Sequence, residues 1–138
     1  MEWPEWFPTG CPPADANHAS GTFYRLVGND PPAPDDFTPG FLLFPGRNFC
    51  KRPQPTHGVS RLFMACGLTV FRAKEDATRM KEIVPRLRNK FLAGGELMPD
   101  LGKIKHTPHH EGCSHHCWWV PNGMDPTHRF TVIDEEPA

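Results

Sequence analysis

Alternation of apolar and polar positions marks the first clear element of this chain. In "TFYRLV", residues 22–27, Phe23, Arg25 and Val27 share one strand face, while Tyr24 and Leu26 share the other. An arginine among apolar neighbours is unusual, because burying an unpaired charge is expensive. Arg25 therefore either meets a partner inside or reaches solvent from a sheet edge. "GLTVFRA", 67–73, reads as a second strand. Lys74, Glu75 and Asp76 then open a helix, with the acids placed to suit its dipole. Ala73, Ala77, Met80 and Val84 recur at helical spacing until Pro85 interrupts. "NKFLAGGELM" and "GKIKHT" predict two more strands around a turn at Pro99–Gly102, and "RFTVI", 129–133, predicts a closing strand. Between these lie polar, turn-rich stretches. Residues 28–41 carry Asp35 and Asp36, placed to cap a short helix, and residues 45–60 form a basic loop. The predicted fold class is α+β, with short, separated, mixed strands, one main helix and long Pro-rich loops. Residues 1–20 are expected to form an arm that packs on the body through Trp3, Trp6 and Phe7. Residues 21–138 form a single domain with a short acidic tail.

Composition sharpens this picture. Seventeen prolines and twelve glycines in 138 residues explain why loops outweigh helix. The longest apolar run is far shorter than the ~18–20 residues of a membrane span, and the acidic "MEWPEWFPTGC" start does not read as a signal peptide. Five cysteines, an odd number, read as reduced thiols. The expectation is a soluble, cytoplasmic protein with no membrane partner. Net charge is −1 but unevenly spread: residues 1–46 carry −5, residues 47–105 carry +8, and residues 106–138 carry −4. The basic middle third faces either solvent or a phosphate-bearing ligand, a nucleic acid or another macromolecular target. Arg47, Lys51 and Arg52 are the bases expected to border such a ligand.

"FYRLVGNDPPAPDDFTPGF" resembles the opening of bacterial ADP-ribosyltransferase toxins of the cholera and pertussis type, with Arg25, Pro31, Pro32, Phe37, Gly40 and Phe41 in the family's places. "GLTVFRAKEDATRM" stands where that family has its Ser-Thr-Ser strand and following helix. "KFLAGGEL" resembles the next strand, and "HHCWWVPNGMDPTHRFTVI" resembles the catalytic strand and what trails it. The likeness spans about residues 22–133, and its Arg25 segment is the most specific part. It implies an ADP-ribosyltransferase-like split sheet and a transferase that binds NAD or a related nucleotide. Arg25 would hold phosphate or ribose oxygens with its planar fork, and Thr69, His115, His116 and Trp118 would complete the cofactor site. The family's catalytic glutamate stabilises oxocarbenium-like charge as nicotinamide leaves. This chain departs there. Only Thr69 supplies a hydroxyl in the second motif, and His116 or Cys117 stands at the glutamate position. Glu111 lies six residues earlier and Glu96 lies in the preceding strand. The catalytic candidates are accordingly His116, Glu111 and Thr69. A degenerate, non-catalytic interaction protein on the same fold is the alternative.

"HTPHHEGCSHHCWW", 106–119, holds five histidines and two cysteines. Zinc accepts four N or S ligands, and His109, His110, Cys113 and Cys117 offer a set, although tandem Cys-x2-Cys spacing is absent. A pocket reading competes: strand alternation puts His116 and Trp118 into a cleft beside Arg25, bordered by Arg47, Lys51 and Arg52, with Cys117 and Trp119 packed inward. A loop of solvent-facing histidines, with tryptophans filling the core, is the third reading.

Overall fold

The computed structural model describes residues 1–109 and 112–133, so His110, Glu111 and the acidic tail lie outside the described residues. The strands are β1 (Asn17–His18), β2 (Gly21–Val27), β3 (Leu68–Phe71), β4 (Phe91–Leu97), β5 (Lys103–His106), β6 (His115–Trp119) and β7 (Phe130–Val132). They form one sheet in the order β1-β5-β6-β3-β2-β4-β7. Every neighbouring pair is antiparallel, where mixed strands were expected. The helices are α1 (Gly40–Leu43), α2 (Arg61–Cys66) and α3 (Lys74–Ile83). The molecule is therefore α+β, built on an antiparallel sheet with little helix.

The predicted strands sit where alternation and β-branched content put them, but their partners follow from tertiary packing. The turn at 99–102 separates β4 from β5, yet the two do not pair. β4 lies between β2 and β7, whereas β5 lies between β1 and β6. Gly102 makes that departure feasible. Its φ is +113°, and a Cβ there would lie 2.0 Å from the Trp119 carbonyl oxygen, so the chain passes β6 at a distance only glycine permits.

Pleating sorts the side chains onto two faces. Phe23, Val27, Leu68, Val70, Ala93, Leu97, Ile104, Trp118 and Phe130 share one face and make the main core, closed by Phe37 and Leu101. The opposite face carries two smaller cores. Cys117 and Trp119 meet Cys11, Ala16, Val59 and Cys66, with Trp3, Trp6, Phe7, Phe41 and Phe63 packed around them. The N-terminal arm and α2 thus cover half of this face. α3 covers the other half, bringing Ala77 and Met80 against Phe71, Leu92 and Tyr24. Ser60 caps α2 by accepting a hydrogen bond from the Phe63 N–H at 3.1 Å, a start signal followed by an apolar "LFMAC" run.

Candidate functional site

β2 and β3 touch through only one bridged pair, Tyr24 with Phe71, although β2 and β4 pair along their whole length. Beyond that pair the seam is held by Arg25. Its Nη1 donates to the Thr69 carbonyl at 2.7 Å, and its Nε and Nη2 donate to the Asp36 carbonyl at 3.1 and 2.9 Å. The guanidinium also lies 5.7 Å from the Phe37 ring centroid. Burial pulls its pKa from 12.5 to about 10, while the field of Asp36 works the other way. Asp36 itself binds elsewhere. Burial works against its charge, but the N–H groups of Ala33 and Gly28, at 2.8 and 2.7 Å, hold its carboxyl below the usual value. Arg25 is thus a half-buried arginine satisfied by backbone carbonyls, and its fork joins β2, β3 and the 3-10 turn Pro34–Phe37.

The other expected site residues divide between the two faces. Register places Thr69 opposite Cys117 and Val70 opposite His116. The His116 and Trp118 side chains therefore project to the same side as Arg25, and those of Thr69 and His115 project to the other. Sequence alternation had paired His116 with Trp118, and Cys117 with Trp119, and the register does the same. What strand pattern could not reveal was depth. Trp118 was expected to line a cleft and is instead wholly buried, its indole N–H donating to the Leu101 carbonyl at 2.7 Å. Trp119 is equally buried and donates to the Phe63 carbonyl at 2.8 Å. Thr69 is exposed on the far face.

The histidines form a connected group with few ligand-like geometries. His116 is half-buried, stacked on His106 with ring centroids 4.8 Å apart and edge-on to Phe23 at 5.0 Å. Its Nδ1 lies 2.7 Å from the Ser114 carbonyl oxygen. Burial lowers its pKa, the Ser114 carbonyl opposes this, and His106 and Arg72 lower it further. His115 packs against Phe71 with its Nδ1 3.0 Å from the Thr107 carbonyl oxygen, and burial pulls its pKa down to about 4. Both are neutral imidazoles at neutral pH. Among the described residues no three His, Cys, Asp or Glu side chains stand where they could hold one metal ion. Cys117 points into the buried thiol cluster with Cys11 and Cys66, whereas Cys113 is exposed. His109 and Cys113 are thus not gathered with Cys117 into a zinc set, and His110 lies outside the described residues. Burial pushes the Cys117 thiol far up, which leaves it a core residue rather than a nucleophile.

A shallow surface concavity lies elsewhere. An open hollow of about 680 Å³ is lined by Asn48, Phe49, Cys50, Lys51, Arg52 and Pro53. Arg25, Thr69, His115, His116 and Trp118 do not line it; of the bases expected to border the Arg25 cleft, Lys51 and Arg52 line this hollow instead. The loop is ordered by its own backbone. Pro53 bridges Ser60, the Gln54 N–H donates to Val59 O at 3.2 Å, and the Leu62 N–H donates to Cys50 O at 3.0 Å. These bonds return exposed Arg61 to the neighbourhood of Lys51 and Arg52. Arg47 lies over the Phe44 ring at 4.3 Å and within 6.0 Å of Phe49. No acid occurs between Asp36 and Glu75, so the hollow's positive field has no carboxylate on its own segment to offset it. The signal for this site was the charge run in the sequence; its concave shape was not visible there.

Compared with family models, curated proteins and solved structures, the chain gave no match.

Proposed function

We propose that this chain is a non-catalytic interaction domain that holds a phosphate-bearing partner through the basic loop 47–61. The observation that carries this reading is the hollow at 48–53, with Lys51 and Arg52 on its wall, Arg47 and Arg61 beside it, and no acid in the surrounding segment. Lysine and arginine at exposed positions can each meet a phosphate without desolvating a buried charge. The test is binding of fluorescently labelled inorganic polyphosphate at several salt concentrations. Affinity should fall steeply with salt, and Lys51→Glu with Arg52→Glu should abolish it. Salt-independent binding, or full binding by the double variant, would reject the reading.

A second reading is NAD binding of the ADP-ribosyltransferase type. The observation favouring it is His116, half-buried on the same sheet face as Arg25 and stacked on His106. In this reading a nicotinamide or adenine ring takes a place beside that histidine pair. Calorimetric titration with NAD tests it: binding should be lost in His116→Ala and kept in His109→Ala. No heat with wild-type protein would reject it.

A further inference from the structure

The loop that carries the basic hollow begins with three exposed apolar side chains in succession. Phe41 anchors α1 inward, stacked on Trp6 at 5.4 Å and within 6.4 Å of Phe49. Leu42, Leu43 and Phe44 then turn outward, with 46%, 55% and 46% of their surface exposed. Hydrogen bonds from the Leu42 and Leu43 N–H groups to Pro39 O, and from Phe44 N–H to Gly40 O, fix that turn. The patch is continuous with the hollow, because Arg47 covers the Phe44 ring and reaches toward Phe49 on the hollow's wall. The apolar tips of residues 42–44 are thus joined through Arg47 to the hollow that carries Lys51 and Arg52.

We propose that this surface docks peripherally on an anionic lipid bilayer, a departure from the expectation of no membrane partner, and one that needs no spanning helix. Leu42, Leu43 and Phe44 enter the boundary between headgroups and acyl chains, while the cations lie among lipid phosphates. The inference rests on the phosphate-binding reading above and names its partner. A free polyphosphate or a single nucleic-acid strand would engage the cations and the phenyl rings, but it gives Leu42 and Leu43 nothing to contact. A bilayer surface satisfies both halves: apolar area leaves water, and positive charge meets a negative surface potential. Three apolar tips are too little alone, and so are four exposed cations at physiological salt, so attachment requires both signals together. Charge complementarity also sets the lipid composition, since zwitterionic bilayers lack the net negative potential that the loop meets.

Co-sedimentation of the full chain with lipid vesicles tests this. Wild-type protein should pellet with vesicles of phosphatidylcholine mixed with phosphatidylserine and stay in solution with phosphatidylcholine alone. Leu42→Gln with Leu43→Gln changes only exposed positions and adds no charge, so circular dichroism should be unaltered. Its vesicle affinity should fall at least about tenfold while its polyphosphate affinity is kept. Lys51→Glu with Arg52→Glu should lose both, vesicle affinity again by at least about tenfold. Polyphosphate binding without vesicle binding by the wild type would overturn the lipid inference and leave the phosphate reading standing. Equal vesicle binding by wild type and the Leu42/Leu43 variant would likewise overturn it. Absence of both kinds of binding would overturn the two together.

Discussion

Replacing Arg25 by methionine removes a partly buried charge and three hydrogen bonds at once, and the structure fixes which effect wins. Burial lowers the guanidinium pKa from 12.5 to about 10, which corresponds to roughly 3 kcal/mol against the charged form. Against this stand three donors on two backbone carbonyls, at 2.7–3.1 Å. Hydrogen bonds from a charged group contribute roughly 1.5–3 kcal/mol each. Methionine fills similar volume but leaves the Thr69 and Asp36 carbonyls without these donors, so the net expected loss is about 3 kcal/mol. At a urea slope of about 2 kcal/mol per M the unfolding midpoint falls by about 1.5 M. Arg25→Lys should also destabilise, by about 2 kcal/mol, because one ammonium cannot span both carbonyls as a planar fork does. An arginine whose task is to hold a ligand behaves in the opposite way, losing affinity while the fold stays intact. Urea unfolding followed by tryptophan fluorescence is the assay. A midpoint unchanged within about 0.3 M for Arg25→Met would refute the structural role assigned here.

Other expectations follow from single contacts. His115 has a folded pKa near 4 against an ordinary 6.5, so the unfolded chain takes up its proton first; stability is full above about pH 6.5 and is lost as pH falls toward 4. His115→Gln should flatten that part of the urea-midpoint-versus-pH curve, and an unchanged curve would count against it. Gly102→Ala should prevent a stable fold, since a Cβ there meets the Trp119 carbonyl oxygen at 2.0 Å in a backbone region that side chains avoid; a wild-type melting curve would contradict this. Trp118→Phe should cost about 2 kcal/mol by leaving the buried Leu101 carbonyl without its donor, measured by the same urea series.

Local pattern made β2 to β7 and the main helix legible, because alternation in 22–27 and 115–119 and helical spacing from Ala73 to Val84 are properties of neighbouring residues, whereas β1 fell within the expected irregular arm. It also gave the division of His116 and Trp118 from Cys117 and Trp119. Depth and partnership were not legible. Nothing local distinguishes an indole lining a cleft from one sealed under Phe37 and Phe130. The same limit applies to Arg25. Its position on an apolar face announced a partner, but the partners are carbonyls at residues 36 and 69, brought together only by the seam between β2 and β3. The expected pocket gathered Arg25, Thr69, His115 and His116 by their order along the chain. Pairing of β3 with β6 then sent Thr69 and His115 to the face opposite the other two. The helix α2 was missed because it is short and follows a Pro-rich loop, although Ser60 before "RLFMAC" is a capping signal.

The proposed binding site is the basic loop rather than the surroundings of Arg25. A two-dimensional ¹H–¹⁵N NMR titration of the labelled protein, once with inorganic polyphosphate and once with NAD, tests it most directly. Polyphosphate should move the amide signals of residues 44–61, and NAD should cause no shifts clustered around Arg25, His106 and His116. Saturable NAD shifts centred on those three residues, with the loop signals unmoved by polyphosphate, would contradict the claim.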